Sequence, residues 1–388
     1  MAIYLVVLIC VLNHSGYAGS RMLMSLYALE LGADQFSIGI IMALYALCPM
    51  LLAIYAGKLV DRVGPRLPML AGTVGTLVGL LLPYSFPGLA TLYVSAFVLG
   101  TSFQFFFVAV HGTAGAIGGA GNRVRNYTAI SIGFSLAAFF GPLIAGFSID
   151  YLGHLPAYLA LAACTIVPAL LLWLGPDILP KAAIGRSEAE HKKSAFDLLR
   201  VRKLRNTIIA SSLISTAWDL YQFYFPIYGH SIGLSASAIG VIIGAFAVAV
   251  FVIRIVLPSL VRRWTEFEIL IYAIALAGIS FLLFPLFENP YLLAAVSFLL
   301  GLGVGCGQPL SGSLIYHLAP PGRAAEGAGV RVMFNNVTHL TVPLLFGGIG
   351  TAFGFAPVFA SCSALLLSGS YYSYRSSVPE RGTGIGGT

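Results

Sequence analysis

Long apolar blocks broken by short polar turns run through this chain, with neither the alternation of a surface strand nor the single apolar stripe of a soluble helix. The blocks fall at 1–29, 37–56, 67–86, 90–116, 126–150, 155–176, 205–229, 236–257, 267–287, 291–317, 328–350 and 355–374. A helix needs roughly 20 apolar residues to cross a hydrocarbon core of about 30 Å, so each block is long enough to span. The pattern predicts an all-α membrane protein with twelve transmembrane helices. The first block is too long and uninterrupted for a cleavable leader and reads as the first span. One longer polar stretch, 177–204, reads as a linker between six-helix bundles at 1–176 and 205–375, with a tail at 376–388.

Composition narrows the class. Of 388 residues 58% are hydrophobic and only 9% charged, with mean hydropathy +0.91, which leaves too little polar surface for a water-soluble enzyme or a disordered chain. The five cysteines (Cys10, Cys48, Cys164, Cys306 and Cys362) are scattered through apolar blocks. Their spacing offers neither a metal site nor a disulfide framework, and nothing calls for a cofactor.

The net charge of +7 is a matter of topology. Lys58, Arg62, Arg66, Arg123, Arg125, Arg262, Arg263 and Arg323 lie in even-numbered loops, and eight more basic residues lie in 181–205. The odd-numbered loops contain no Lys or Arg. Under the positive-inside rule both termini and the linker face the cytoplasm, as in a multi-pass inner-membrane protein. Basic loops against anionic lipid account for the charge without a nucleic-acid partner.

The two halves repeat at an offset of 201 residues. Tyr27, Gly32, Ile38, Gly39 and Ile41 recur as Tyr228, Gly233, Ile239, Gly240 and Ile242; Pro142, Gly146, Gly153 and Pro156 recur as Pro343, Gly347, Gly354 and Pro357. Parallel repeats related by an axis along the membrane normal are a transporter architecture, with the solute between them near the midplane.

Gly57-Lys-Leu-Val-Asp61-Arg62-Val-Gly64-Pro-Arg66, after the second span, resembles the signature loop of the major facilitator superfamily, with Pro65 in place of one Arg. The resemblance covers essentially the whole chain and implies a transporter of two pseudo-symmetric bundles, working as a monomer on a small-molecule solute. Asp61 and Arg62 are then expected to form a latch at the cytoplasmic end. Gly141-Pro142-Leu-Ile-Ala-Gly146 resembles the end of the fifth-helix motif of drug/proton antiporters, although the upstream glycines are replaced by Ala137 and Thr128. Close packing or a kink accounts for it equally well. The helix-4 antiporter motif R-x-x-Q-G is absent; that span offers Gln104 and His111.

Ionisable residues within spans are functional candidates, because charge in hydrocarbon is costly. His14, Tyr17 and Arg21 share one face of the first span, and the repeat sends them to Ser215, Trp218 and Gln222 of the seventh. Asp219 lies on that second stripe, is the only acidic residue deep in a span, and is expected to pair with Arg21 and carry a coupling proton. Arg254 resembles the eighth-helix Arg of monocarboxylate and oxalate carriers, but Val250 stands where the monocarboxylate carriers have an acid one turn earlier. The eleventh span adds Arg331, Asn335, Thr338 and His339. Arg in excess over Asp predicts an anionic group on the solute, which a guanidinium holds bidentately. The leading expectation is a secondary active, proton-coupled transporter of a small organic anion, with drug or metabolite efflux by proton antiport as the alternative. A remote third is an intramembrane enzyme using Ser313 and His317, four residues apart, without an acid nearby to orient them.

Overall fold

A computed structural model describes residues 2–117, 123–175, 195–320 and 323–377. The first half supplies α1 (Ala2–Glu30), α2 (Gln35–Val63), α3 (Arg66–Ser85), α4 (Leu89–Ala116), α5 (Arg123–Leu152) and α6 (His154–Leu174). The second supplies α7 (Arg202–Ser231), α8 (Ala236–Leu260), α9 (Glu266–Leu283), α10 (Pro290–Gly305), α11 (Gly307–Leu318), α12 (Ala324–Phe353) and α13 (Phe355–Ser377). No strand occurs among the described residues, and α10 with α11 forms one span interrupted at Cys306. Most of the linker, at 176–194, and the tail beyond 377 lie outside the described residues.

Several helices outrun their apolar blocks. The 29 residues of α2 extend about 44 Å and carry its last turns, with Lys58 and Arg62, beyond a hydrocarbon core of about 30 Å. Gly64 ends it at φ +80°, a left-handed conformation that glycine adopts without steric cost, and Pro65 follows. At its start Asp34 accepts a 2.8 Å hydrogen bond from the Ser37 N–H, and its bonds to Ser37 hold the carboxyl below the usual carboxylate range. The repeat mate of Asp34, Ser235, caps α8 in the same way through the Ala238 N–H at 3.2 Å.

Ten segments among the described residues are long and apolar enough to cross a membrane; α7 and α13 fall outside that set. The exception of α7 has a plain cause. Of its 30 residues, 21 are buried in protein, so Ser211, Ser215, Thr207, Thr216 and Asp219 face other helices and not lipid.

Packing repeats as the sequence does. In the first half α1 lies on α5 and α6, α3 on α4 and α6, and α2 on α4; in the second α7 lies on α12 and α13, α9 on α10 and α13, and α8 on α10. The halves meet along two equivalent crossings, α5 with α8 and α12 with α2. Gly39 approaches the Pro343 carbonyl, and its mate Gly240 approaches the Pro142 carbonyl. Gly146 lies against the Ala236 carbonyl, and its mate Gly347 lies against that of Gln35. Any larger side chain at these four places would collide with backbone.

Hydrogen bonds close the same end, the one away from the linker. Asp150 accepts from the N–H groups of Ala236 (3.1 Å) and Ser237 (2.8 Å), the first turn of α8. Thr351, 201 residues on, accepts from the Phe36 N–H at 2.9 Å, and Tyr224 donates to Gln35 at 2.6 Å. The opposite end carries the linker. There Asn206, early in α7, donates to Ser376 at the end of α13 at 3.0 Å.

The two crossings therefore differ in the group that reaches across: the Asp150 carboxylate of the first half accepts from the start of α8, while the Thr351 hydroxyl of the second half accepts from the start of α2. A carboxylate on a helix N-terminus at this exposed site is worth about 1 kcal/mol after solvent screening. Asp150→Ala should weaken the α5–α8 end and broaden the distance distribution between spin labels on Tyr151 and Ser231, whereas Thr351→Ala should have a smaller effect. Equal distributions in the two variants would contradict the asymmetry.

Candidate functional site

Between the halves lies a cavity of about 330 Å³. His14, Tyr17, Ala18 and Arg21 of α1, Tyr45, Ala46 and Pro49 of α2, Phe103, Gln104 and Phe107 of α4, and Ala138 and Pro142 of α5 form one wall. Trp218, Asp219 and Gln222 of α7 with Asn336 and His339 of α12 form the other. Pro142 has no N–H for the Ala138 carbonyl, so the α5 backbone contributes a polar group at this surface.

The stripes on α1 and α7 face each other here because each is one side of a central helix and the repeat axis runs between them. Tyr17 stacks on Phe103 at 4.1 Å between ring centroids, and His14 lies 5.2 Å from Phe103 and edge-on to Phe134 at 4.9 Å. Trp218 meets Phe246 edge-on at 5.1 Å. The Nδ1 of His14 and the Nε of Arg21 are buried without a hydrogen-bond partner among the described residues.

The partner of Asp219 is not Arg21. Its carboxylate, only 3% exposed, accepts a hydrogen bond from Nδ1 of His339, and Arg21 makes no ion pair among the described residues. The reason is connectivity. Helices α7 and α12 belong to one half and pack together, whereas α1 stands across the cavity.

Three residues expected at the solute site lie outside the cavity. Arg254 is spent on the α5–α8 crossing, reaching the hydroxyls of Ser131 and Ser135 at 3.3 Å and the Gly305 carbonyl at 3.5 Å, beside the break in the tenth span. Asn335 is 5% exposed and accepts from Ser211 of α7 at 3.3 Å, while its neighbour Asn336 lines the cavity. His111 is one turn beyond the lining, with Nδ1 2.9 Å from the Phe107 carbonyl and its ring 4.1 Å from that of Phe107. Arg331 binds Gln308 and Ser311 at 2.8 and 3.1 Å. Gly141 packs against Ser15 and Gly19 of α1, whereas Pro142, Leu143 and Gly146 of the fifth-helix motif reach the other half.

The signature loop is also placed differently from expectation. Asp61 and Arg62 are exposed in the last turn of α2, without hydrogen bonds or ion pairs among the described residues. A Cβ at Gly57 would meet open space. Arg66 instead donates to the carbonyls of Leu172 and Trp173 at 3.0 and 2.9 Å, capping the end of α6. The suggested nucleophile pair is absent: Ser313 donates to Glu266 at 2.6 Å and not to His317.

Tyr45, Phe103, Phe107 and Asn336 were not read from the sequence. Counting back three residues from His339 selects Asn336, and the spacing of Phe103, Phe107 and His111 marks one face of α4. Both signals were present.

Two repeated six-helix halves around a central polar cavity define a multi-pass membrane transporter. The chain belongs to the Major Facilitator Superfamily, whose pattern it matches over residues 6–340. It is 22% identical over 370 residues to the class H tetracycline resistance protein of Pasteurella multocida, covering 88% of each chain. It is 24% identical over 396 residues to the multidrug resistance protein MdtG of Proteus mirabilis, covering 98% of this chain and 96% of that one. Crystal structures share the fold. A mutant of the nucleoside transporter NupG aligns with TM-score 0.84 at 12% identity over 97% of this chain and 100% of that one. A mutant of the peptide transporter POT with sulfate aligns with TM-score 0.80 at 16% identity, over 96% and 93%.

The pairing of Asp219 predicts a specific coupling. Removing one partner of a buried charged hydrogen bond costs about 1–3 kcal/mol. Asp219→Asn and His339→Ala should therefore be non-additive by about 1 kcal/mol or more in denaturation midpoints, while Asp219→Asn and Arg21→Gln should add. The reverse pattern would restore the Arg21 pairing.

Proposed function

We propose that this protein exports an amphipathic organic anion across the inner membrane in exchange for protons. One observation carries the reading: a guanidinium with an unpartnered Nε on one half and the Asp219–His339 pair on the other line the same cavity. Arg21 holds the acidic group of the solute in a fork that a lysine lacks. The pair on α7 and α12 holds the coupling proton. The relatives named above, a tetracycline resistance protein and a multidrug resistance protein, support export over uptake.

Under the positive-inside rule the linker end is cytoplasmic. The hydrogen bonds around Asp150, Thr351 and Gln35 then seal the outer end, and the cavity is poised to load from inside. The unpaired Asp61–Arg62 segment fits this state, because a latch at the inner end is released when that end is open.

Charge counting distinguishes exchange from co-transport. With Arg21 cationic and Asp219 anionic, a monoanionic solute leaves the loaded cavity at −1, and a proton in place of the solute leaves the returning cavity at +1. Both strokes then run with an inside-negative potential, at about 2.3 kcal/mol per charge per 100 mV. Co-transport of the two would instead be electrically neutral.

The test uses proteoliposomes loaded with a fluorescent aromatic acid, with the potential set by potassium and valinomycin. Export should accelerate steeply with potential and acidify the receiving lumen. In Asp219→Asn, gradient-driven movement should vanish while solute–solute exchange persists. Transport insensitive to potential would overturn proton exchange in favour of proton co-transport.

A further inference from the structure

The first-half wall carries more aromatic surface than a binding cavity for aliphatic acids requires. Phe103, Phe107 and His111 are four residues apart on α4, so their rings climb one face of the helix a turn at a time. Phe103 and Phe107 are 5.5 Å apart between centroids, and Phe107 and His111 are 4.1 Å apart. On the side of α5 the series is joined by Phe134, 5.6 Å from His111 at an interplanar angle of 22°, and by Tyr127 at 6.2 Å. At the deep end Tyr17 stacks on Phe103 at 11°, and Arg21 is the next turn of α1.

The chain direction orders these rings. Helix α5 starts at the linker end and α4 finishes there, so Tyr127 and His111 stand near the mouth, while Tyr17 and Phe103 stand at mid-depth. The rings are not sequestered as core. Tyr127 is 44% and Phe107 37% exposed, while Phe106, about 100° round α4 from Phe107, is fully buried. Phe107 lines the cavity, so the series is continuous with it. The second-half wall has no such series: among the described residues its rings are Trp218 and the His339 imidazole, beside Asp219, Gln222 and Asn336.

We propose that this face is a recognition lane for planar aromatic acids, along which a ring system moves from Tyr127 to rest against Phe103 with its acidic group on Arg21. The inference rests on the organic-anion reading above and adds the shape of the solute. Offset and edge-to-face contacts reward flat π-systems beyond the area they bury, and a saturated ring of the same size gains only the area. Rings spaced by about one helical turn, or about 6 Å, allow a bicyclic solute to touch the next ring before leaving the last.

The experiment uses the full chain in lipid nanodiscs and three probes of similar size: 2-naphthoate, decahydro-2-naphthoate and 2-naphthalenemethanol. Equilibrium dialysis should show naphthoate binding about tenfold tighter than its saturated analogue, from two or three aromatic contacts. In Phe103→Leu/Phe107→Leu the two acids should bind within about twofold of each other, with the affinity of the saturated acid unchanged. Equal affinity in the wild type, a preference that survives the double substitution, or failure of all three probes to bind would overturn the lane. The alcohol separates this from the reading beneath it. If alcohol and acid bind equally while aromatic is preferred to saturated, the lane stands and the anionic reading falls. If Arg21→Gln removes the preference for acid over alcohol but not that for aromatic over saturated, both stand.

Discussion

Two helix crossings, α5 on α8 and α2 on α12, hold the halves together, with their closest backbone contacts toward one end and the cavity beyond them. At each crossing glycine admits a neighbouring carbonyl to a distance that no side chain would allow. Without bulk at Gly39, Gly146, Gly240 and Gly347, backbones pack directly and hydrogen bonds reach from one half to the other. The central helices α1 and α7 are thereby brought face to face, which places Arg21 opposite Trp218, Asp219 and Gln222. The site is a consequence of the crossings, and movement between its two accesses requires them to open.

The sequence makes these crossings legible through repetition. Gly39 with Gly240, Pro142 with Pro343, and Gly146 with Gly347 are repeat pairs at 201 residues, and the structure sets each first-half member against a second-half backbone. Asp150 and Thr351 occupy the same repeat position without sharing a residue type, so a search for identities passes over them. Their common role is to accept an N–H from the other half, which depends on an oxygen and not on a residue name. Helix ends were less legible than helix centres, because α2 and α12 continue as helix after hydrophobicity has stopped.

Much of the cavity followed from helical spacing on α1 and α7, where polar residues in an apolar helix leave little ambiguity. Partner choice did not follow. Nothing local to Asp219 distinguishes His339 from Arg21, and the answer lies in which helices share a half. On α12 a polar run offered both Asn335 and Asn336, and a shift of one residue turns a side chain through about 100°. Arg254 shows the same limit, since a guanidinium within a span serves an inter-helix contact as readily as a ligand. The aromatic face of α4 is hidden among many phenylalanines, of which Phe106 is core and Phe107 is lining.

The chemistry then rests on division of labour across the cavity, with ring faces and Arg21 on one half and a carboxylate–imidazole pair on the other. The proposed exchange demands that the proton and the solute exclude each other from this space. Proton release on solute binding measures that exclusion directly. Purified protein in a weakly buffered solution with a pH dye should release a proton for each 2-naphthoate bound, and Asp219→Asn should bind without release. Proton uptake on binding, or release that is unchanged in Asp219→Asn, would contradict the account.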